Sequence, residues 1–314
     1  MSRVVTFGEC LAALHGTGPL RLAGSLNLSV AGSESNVAIG LARLGHEVEW
    51  IGRVGDDEFG TLVLRTLRAE GVDVRHAVVD PSGPTALLVF EHRIADVTRV
   101  MYYRTGSAGS ALGAADVLPE VSDDVAILHV TGVTAALGAG PAGAVSEAVA
   151  RAKSTATTVS LDVNFRSRLW SAEQARATLQ PVLAEVDLVF GSADELLMIA
   201  DRAPDVDAAA GQLLARGVQT VIAKLGVDGA VAYTGDDTIK VPARRVQAVD
   251  SVGAGDAFVA GYLSGLLDGT DCAGCLDRGA VLGAFAVSRE GDWEALPTRA
   301  ELDLLDAAPG TTLR

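Results

Sequence analysis

Short continuous runs of Val, Ile, Leu and Phe, closed by Gly, Asp, Asn or Ser, recur along the chain, and this pattern restricts the fold more than any other feature. The runs are RVVTFG, VEWIGRVG, AILHVTG, TVSLDVN, LVFGS and TVIAKLG. Alanine-rich stretches of helical spacing lie between most of them, at Asn36 to Leu44, Glu58 to Ala69, Gly143 to Ala152 and Ala208 to Arg216. A strand that is apolar throughout must be covered on both faces, and strands that alternate with helices pair in parallel. The sequence therefore predicts an α/β fold with a three-layer α/β/α core around a mostly parallel sheet.

Two regions break this rhythm. Residues 11–31 and about 84–104 read as short strands, SLNLSVAG, TALLVFEH and TRVMYYR, joined by turns without helices. They can pair into a small β-sheet lid over the strand ends where ligands of α/β sheets bind. No internal repeat or low-complexity linker divides the 314 residues, so one domain of core plus lid is expected. The last residues, AAPGTTLR, read as a frayed tail.

A formal net charge of −15 disfavours nucleic acid or an anionic membrane as partner, because both reward dense positive charge. No run approaches the ~20 apolar residues of a membrane span. The opening MSRVVTFGEC turns to Gly8 and Glu9 after one short apolar run, too short for a secretory leader, so a cytoplasmic protein is expected. Cys272 and Cys275 form a CxxC, a spacing used by metal and redox sites; with no histidine near and no strand before it, the pair reads better as part of a helix start.

The segment DSVGAGDAF carries the chemistry. The helical pattern AFVAGYLSGLL follows it, so Gly253, Ala254 and Gly255 fall at a helix N-terminus, where unpaired N–H groups and the helix dipole attract an anion. Small residues let that anion approach the backbone. Asp256 makes no sense as a phosphate ligand, but it could accept a proton from an attacking hydroxyl. The same residues could also form a plain glycine turn with an aspartate near a helix start. GAGPAG at residues 138–143, with Asp162 further on, satisfies a dinucleotide-binding fingerprint. Its context fails, because about eight residues separate the strand AILHV from Gly138.

Similarity extends from VVTFGE through AGSESNVAIGLARLG, IGRVGDDEFG, YYRTGSAGSAL, LDVNFR, SADE, KLGVDGA and DSVGAGDAFVAGY to REGDWEALPTRAEL. On these segments the chain resembles the ribokinase-like, PfkB-type carbohydrate kinases. YYRTGSA, DVNFR and GDWEALPTRAEL resemble their 2-keto-3-deoxygluconate branch. The resemblance implies a ribokinase-like fold, ATP and Mg2+, and an acid sugar phosphorylated at its 6-hydroxyl; it leaves a K+ requirement open.

It also implies roles. Asp256 would be the catalytic base, with the N–H groups of Gly253, Ala254 and Gly255 stabilising the transferring phosphoryl group. Glu195 of SADE would organise Mg2+ through water, with Ser192 standing where the wider family has asparagine; Glu195 could equally be an ordinary helix-start carboxylate. Asn164, Ser192, Lys224, Gly226 and Gly229 would lie along ATP, and Ala280 stands where an asparagine often meets the adenine. Gly32 and Asn36 would meet the sugar hydroxyls, although Asn36 could instead cap its helix and Ala31 replaces a usual glycine.

Tyr102, Tyr103, Arg104, Arg166 and Asp292 match positions that hold the acid sugar, and Leu88 falls where an aromatic is frequent. Arginine binds a carboxylate through two parallel hydrogen bonds, which suits an anionic acceptor, whereas surface ion pairs would be the ordinary alternative for Arg104 and Arg166. A kinase for another small sugar or nucleoside, or a sugar-binding regulator on the same fold, stays open. The exposed edge of a lid sheet makes a homo-oligomer through the lid the expected assembly.

Overall fold

The structure, a computed structural model, describes residues 3–94 and 97–306, so the AAPGTTLR tail lies outside the described residues. The strands in chain order are β1 (Arg3–Phe7), β2 (Leu11–Gly16), β3 (Leu26–Ala31), β4 (Val48–Ile51), β5 (Arg53–Gly55), β6 (Val78–Asp80), β7 (Leu87–Ile94), β8 (Val97–Tyr103), β9 (Val125–Thr131), β10 (Thr158–Asp162), β11 (Leu188–Ser192), β12 (Thr220–Lys224), β13 (Ala230–Tyr233) and β14 (Thr238–Val241). The α-helices are α1 (Ser33–Arg43), α2 (Glu58–Ala69), α3 (Ala114–Val117), α4 (Gly132–Ala135), α5 (Ala139–Lys153), α6 (Ala172–Leu179), α7 (Ala193–Ile199), α8 (Val206–Ala215), α9 (Ala254–Leu267) and α10 (Cys272–Val287).

Eight strands form the main sheet in the order β14-β13-β12-β11-β10-β9-β1-β4. From β4 to β12 every pairing is parallel, and β13 and β14 add an antiparallel edge. Successive side chains of the central strands enter opposite layers, as strand geometry requires. Val5, Leu128, Leu161, Val189 and Val221 pack on the side of α5 to α8. Val4, Ile127, Phe190 and Ile222 pack on the side of α1, α2, α9 and α10. The continuous apolar runs thus fill two cores, and the α/β/α architecture read from them is the observed one.

One run divides. VEWIGRVG forms two strands, because at Gly52 the chain folds over Trp50 and a Cβ there would stand 2.3 Å from the indole ring. β5 then leaves the main sheet to pair with β6. GAGPAG begins α5 behind Gly138, with α4 between it and β9, so no strand runs into the first glycine. Cys272 and Cys275 are free thiols in the first turn of α10. Among the described residues no helix is long and apolar enough to cross a membrane.

Residues 11–31 and 84–104 contribute to a second sheet of order β3-β2-β7-β8. Its inner face buries Leu11, Ala13, Ala31, Ala86, Leu88 and Phe90 against Val252, in the loop that leads into α9. It therefore stands over the GAGD segment.

Candidate active site

The chain passes from β1 outward to β4 and returns to β9 on the other side of β1, so the direction of winding reverses at β1 and β9. In open α/β sheets such a reversal opens a crevice at the carboxyl ends of the strands. Here the ends of β1, β10, β11 and β12 bring Glu9, Asn164, Ser192 and Lys224 to one cleft of ≈ 530 Å³. The lid closes one side with Leu88, Phe90, Val100, Tyr102 and Arg104, and Gly32, Ser33 and Asn36 at the start of α1 line another.

Asp256 lies in the first turn of α9 and is buried at 6% exposure. Its carboxylate is held from three directions. Asn36 Nδ2 donates to Oδ2 at 2.9 Å, while Asn164 Nδ2 at 3.0 Å and Ser33 Oγ at 3.1 Å reach Oδ1. Asn164, in a left-handed backbone at φ 37°, also donates to Ser33 Oγ at 2.7 Å. Burial pushes the Asp256 carboxyl up, against the charge of Arg166, the Asn36 donor, and then Lys224 and Ser33. Burial thus makes this carboxyl more basic, and the donors and cations around it oppose that shift.

The N-terminus of α9 has no side-chain cap. Gly253 sits there at φ 72°, and a Cβ would stand 1.9 Å from the Asp292 carbonyl oxygen, so only glycine fits between the helix and the loop carrying Asp292. The first-turn N–H groups have no intrahelical acceptor. A Cβ on Gly255 would lie 3.4 Å from Lys224 Nζ, which places the ammonium beside this helix end. Lys224 is itself held by Asp162 at 2.6 and 2.8 Å. Burial pushes Asp162 up to about 6 against the pull of Lys224.

Glu195 forms a capping box with Ser192: Glu195 Oε2 accepts from Ser192 N at 2.7 Å, and Ser192 Oγ accepts from Glu195 N at 3.2 Å. Its other oxygen accepts from Phe165 N at 2.7 Å. The helix-start role is therefore real, and the same carboxylate lines the cleft. On the acceptor side, Arg104 lies over the Tyr102 ring at 4.9 Å and pairs with buried Glu9 at 2.8 Å. Arg166 lines the cleft and makes no ion pair with another described residue. Asp292 is buried and pushed up to about 7 by desolvation and by the charges of Asp256 and Glu294.

The sequence matches the profile of the pfkB family carbohydrate kinases over residues 1–299. The chain belongs to the pfkB family of carbohydrate kinases. It is similar to the 2-dehydro-3-deoxygluconokinase of Bacillus subtilis, 36% identical over 304 residues that cover 95% of this chain and 93% of that one. The 2-dehydro-3-deoxygluconokinase of Thermoproteus tenax is 36% identical over 312 residues, covering 97% and 94%. Among solved structures, a protein described as ribokinase II of E. coli, in complex with ATP and Mg2+, superposes with a TM-score of 0.91 at 27% identity, covering 98% of this chain and 99% of that chain.

In this pfkB kinase several expected site residues stand apart from the cleft. Tyr103 alternates to the opposite lid face from Tyr102 and is 62% exposed, because neighbours on a strand face opposite ways. Gly226 and Gly229 form the turn between β12 and β13, outside the cleft lining. Gly229 is required there by its φ of 93° and by the Val241 carbonyl oxygen, 2.0 Å from where a Cβ would be. Ala254 does not line the cleft, and only its backbone belongs to the helix end. Ala280 is buried in α10. Leu88 gives the cleft an apolar wall.

Three residues of the pfkB site were not assigned to it from sequence, Asp162 having entered only through the dinucleotide fingerprint whose context fails. Ser33 touches Asp256, Asp162 holds Lys224, and Glu9 holds Arg104. The available signal for Glu9 and Asp162 was a carboxylate following an apolar run that ends in the core of a parallel sheet.

Proposed function

We propose that the chain transfers the γ-phosphoryl group of MgATP to the 6-hydroxyl of 2-dehydro-3-deoxy-D-gluconate. The observation that carries this reading is a buried Asp256, held by Ser33, Asn36 and Asn164 at an uncapped helix end, in a cleft that Arg104 and Arg166 also line. The two relatives named above support the substrate, and the ATP complex of the E. coli protein supports the donor.

On this reading Asp256 accepts the proton of the sugar hydroxyl as that oxygen bonds to phosphorus and the bond to the ADP oxygen breaks. The first-turn N–H groups of α9 and the Lys224 ammonium stabilise charge on the phosphoryl oxygens. Arg104 binds the acceptor's carboxylate through its planar fork of donors, and Arg166 adds positive charge to the same cleft. Asn36, Asp292 and the backbone at Gly32 are the polar groups available to the sugar hydroxyls. Lid closure excludes water, so that the base meets sugar rather than solvent.

The residues present fit Mg2+: Glu195 lines the cleft with both oxygens held by backbone N–H groups, and it would hold the ion through water. The ion would neutralise charge on the ATP phosphates.

The assembly proposed is a homo-oligomer through the lid. β3 is an edge strand of the lid sheet, and Leu26 at 45% and Leu28 at 52% exposure lie on it. Light scattering that finds a monomer at assay concentration would remove this part of the reading.

The catalytic part is tested by ADP release with MgATP and 2-dehydro-3-deoxygluconate, wild type against Asp256→Asn. The variant is expected to lose at least about a thousandfold in kcat while binding ATP normally. Turnover within about tenfold of wild type would mean that Asp256 is not the base.

A further inference from the structure

Glu9 has no part in the phosphoryl transfer described above, yet it lies buried in the cleft beside Arg104. It follows Gly8 at the carboxyl end of β1 and is 2% exposed. Its Oε1 accepts from Ser107 Oγ at 2.5 Å, and its Oε2 lies 2.8 Å from Arg104 Nη2. Gly109 makes room for it, since a Cβ there would stand 2.6 Å from Glu9 Cγ. Burial pushes its carboxyl up while Arg104 and Ser107 pull it down.

A buried carboxylate is costly to the fold, and the side chain beside this one explains its use. Arg104 follows β8 at the rim of the lid, from where a long cationic side chain would ordinarily extend into water. Here it lies over the Tyr102 ring, 4.9 Å from its centre, and pairs with Glu9 at one terminal nitrogen. Its Nε is buried without a hydrogen-bond partner. A guanidinium fixed on one edge still offers its remaining donors in a set direction.

We propose that Glu9 is a positioning residue: it holds Arg104 in the orientation that receives the acceptor's carboxylate, and so sets the preference for an acid sugar over its neutral counterpart. This rests on the acid-sugar reading above. Glu9 also neutralises the guanidinium in the free enzyme, so the arginine stays inside the pocket.

The test compares wild type, Glu9→Gln, Arg104→Gln and the double variant on two acceptors differing only at C1, 2-dehydro-3-deoxygluconate and 3-deoxyfructose. Glu9→Gln is expected to raise KM for the acid about 10- to 50-fold, with kcat kept within about threefold and KM for 3-deoxyfructose within about twofold. The double variant should be no worse than Arg104→Gln, because Glu9 acts through Arg104. Equal losses on both acceptors, or losses that multiply in the double variant, would overturn the proposal.

Melting temperature and ATP binding report folding. Should Glu9→Gln alone not fold, Arg104→Gln against the double variant, in which both buried charges are gone, decides the same question. A wild type that prefers 3-deoxyfructose overturns the acid-sugar reading and the carboxylate preference with it. A wild type that prefers the acid while the two losses multiply overturns only the role of Glu9.

Discussion

Asn36 Nδ2 donates to Asp256 Oδ2 at 2.9 Å, joining the first turns of α1 and α9 across the cleft. The contact stabilises the ionised form of a carboxyl that burial pushes the other way. Removing the donor therefore raises the Asp256 pKa further. Since the base must be ionised, Asn36→Ala should move the acid limb of the kcat profile to higher pH, because a buried hydrogen bond to the charged form is lost. A limb that stays in place, or moves down, would contradict this account of how Asp256 is tuned.

Lys224 and Asp162 form a pair in which one partner serves the fold and the other the reaction. Lys224→Met leaves Asp162 buried without a cation and should destabilise by about 3 kcal/mol as well as lose turnover. Adding Asp162→Asn should restore most of the melting temperature but not kcat, because the ammonium beside Gly255 is still missing. Recovery of both would mean that Lys224 acts on stability alone.

Adjacent tyrosines on β8 should differ. Tyr102→Ala removes the surface beneath Arg104 and is expected to raise KM for the acid sugar by about tenfold. Tyr103→Ala, on the opposite face, should leave KM within about twofold. Equal effects on acceptor KM would show that the strand faces are assigned wrongly.

Asp292 makes stability depend on pH in a stated direction. Its carboxyl is pushed up to about 7 by burial and by the charges of Asp256 and Glu294. A raised folded pKa contributes stability that is fully present below the unfolded value of about 4 and is lost as pH rises through 7. Asp292→Asn should therefore melt above wild type at about pH 8, by an amount bounded at about 4 kcal/mol, with the gap narrowing toward pH 5. Thermal melts across that range check it, and a gap independent of pH would contradict it.

The parallel core is legible in the sequence because a strand covered on both faces has no polar alternation, and those runs are local. Asp256 and the small residues before it are legible for a similar reason: an anion-binding helix end is written in consecutive residues. Glu9, Ser33 and Asp162 are not, since their partners Arg104, Asp256 and Lys224 come from distant segments that meet only at the carboxyl ends of the sheet strands in the folded chain. Tyr103 shows the converse limit. A motif places both tyrosines together, but the strand gives only one of them to the cleft. The break in VEWIGRVG depends on Trp50 folding against Gly52, a tertiary contact that composition does not record.

The most direct measurement is the ratio of kcat/KM for 2-dehydro-3-deoxygluconate to that for 3-deoxyfructose in the wild-type enzyme with saturating MgATP. A carboxylate received by Arg104 predicts a ratio of at least about one hundred in favour of the acid, the discrimination expected when buried polar groups are left unpaired. A ratio near one, or in favour of 3-deoxyfructose, would contradict the central claim that this cleft is built for an acid sugar.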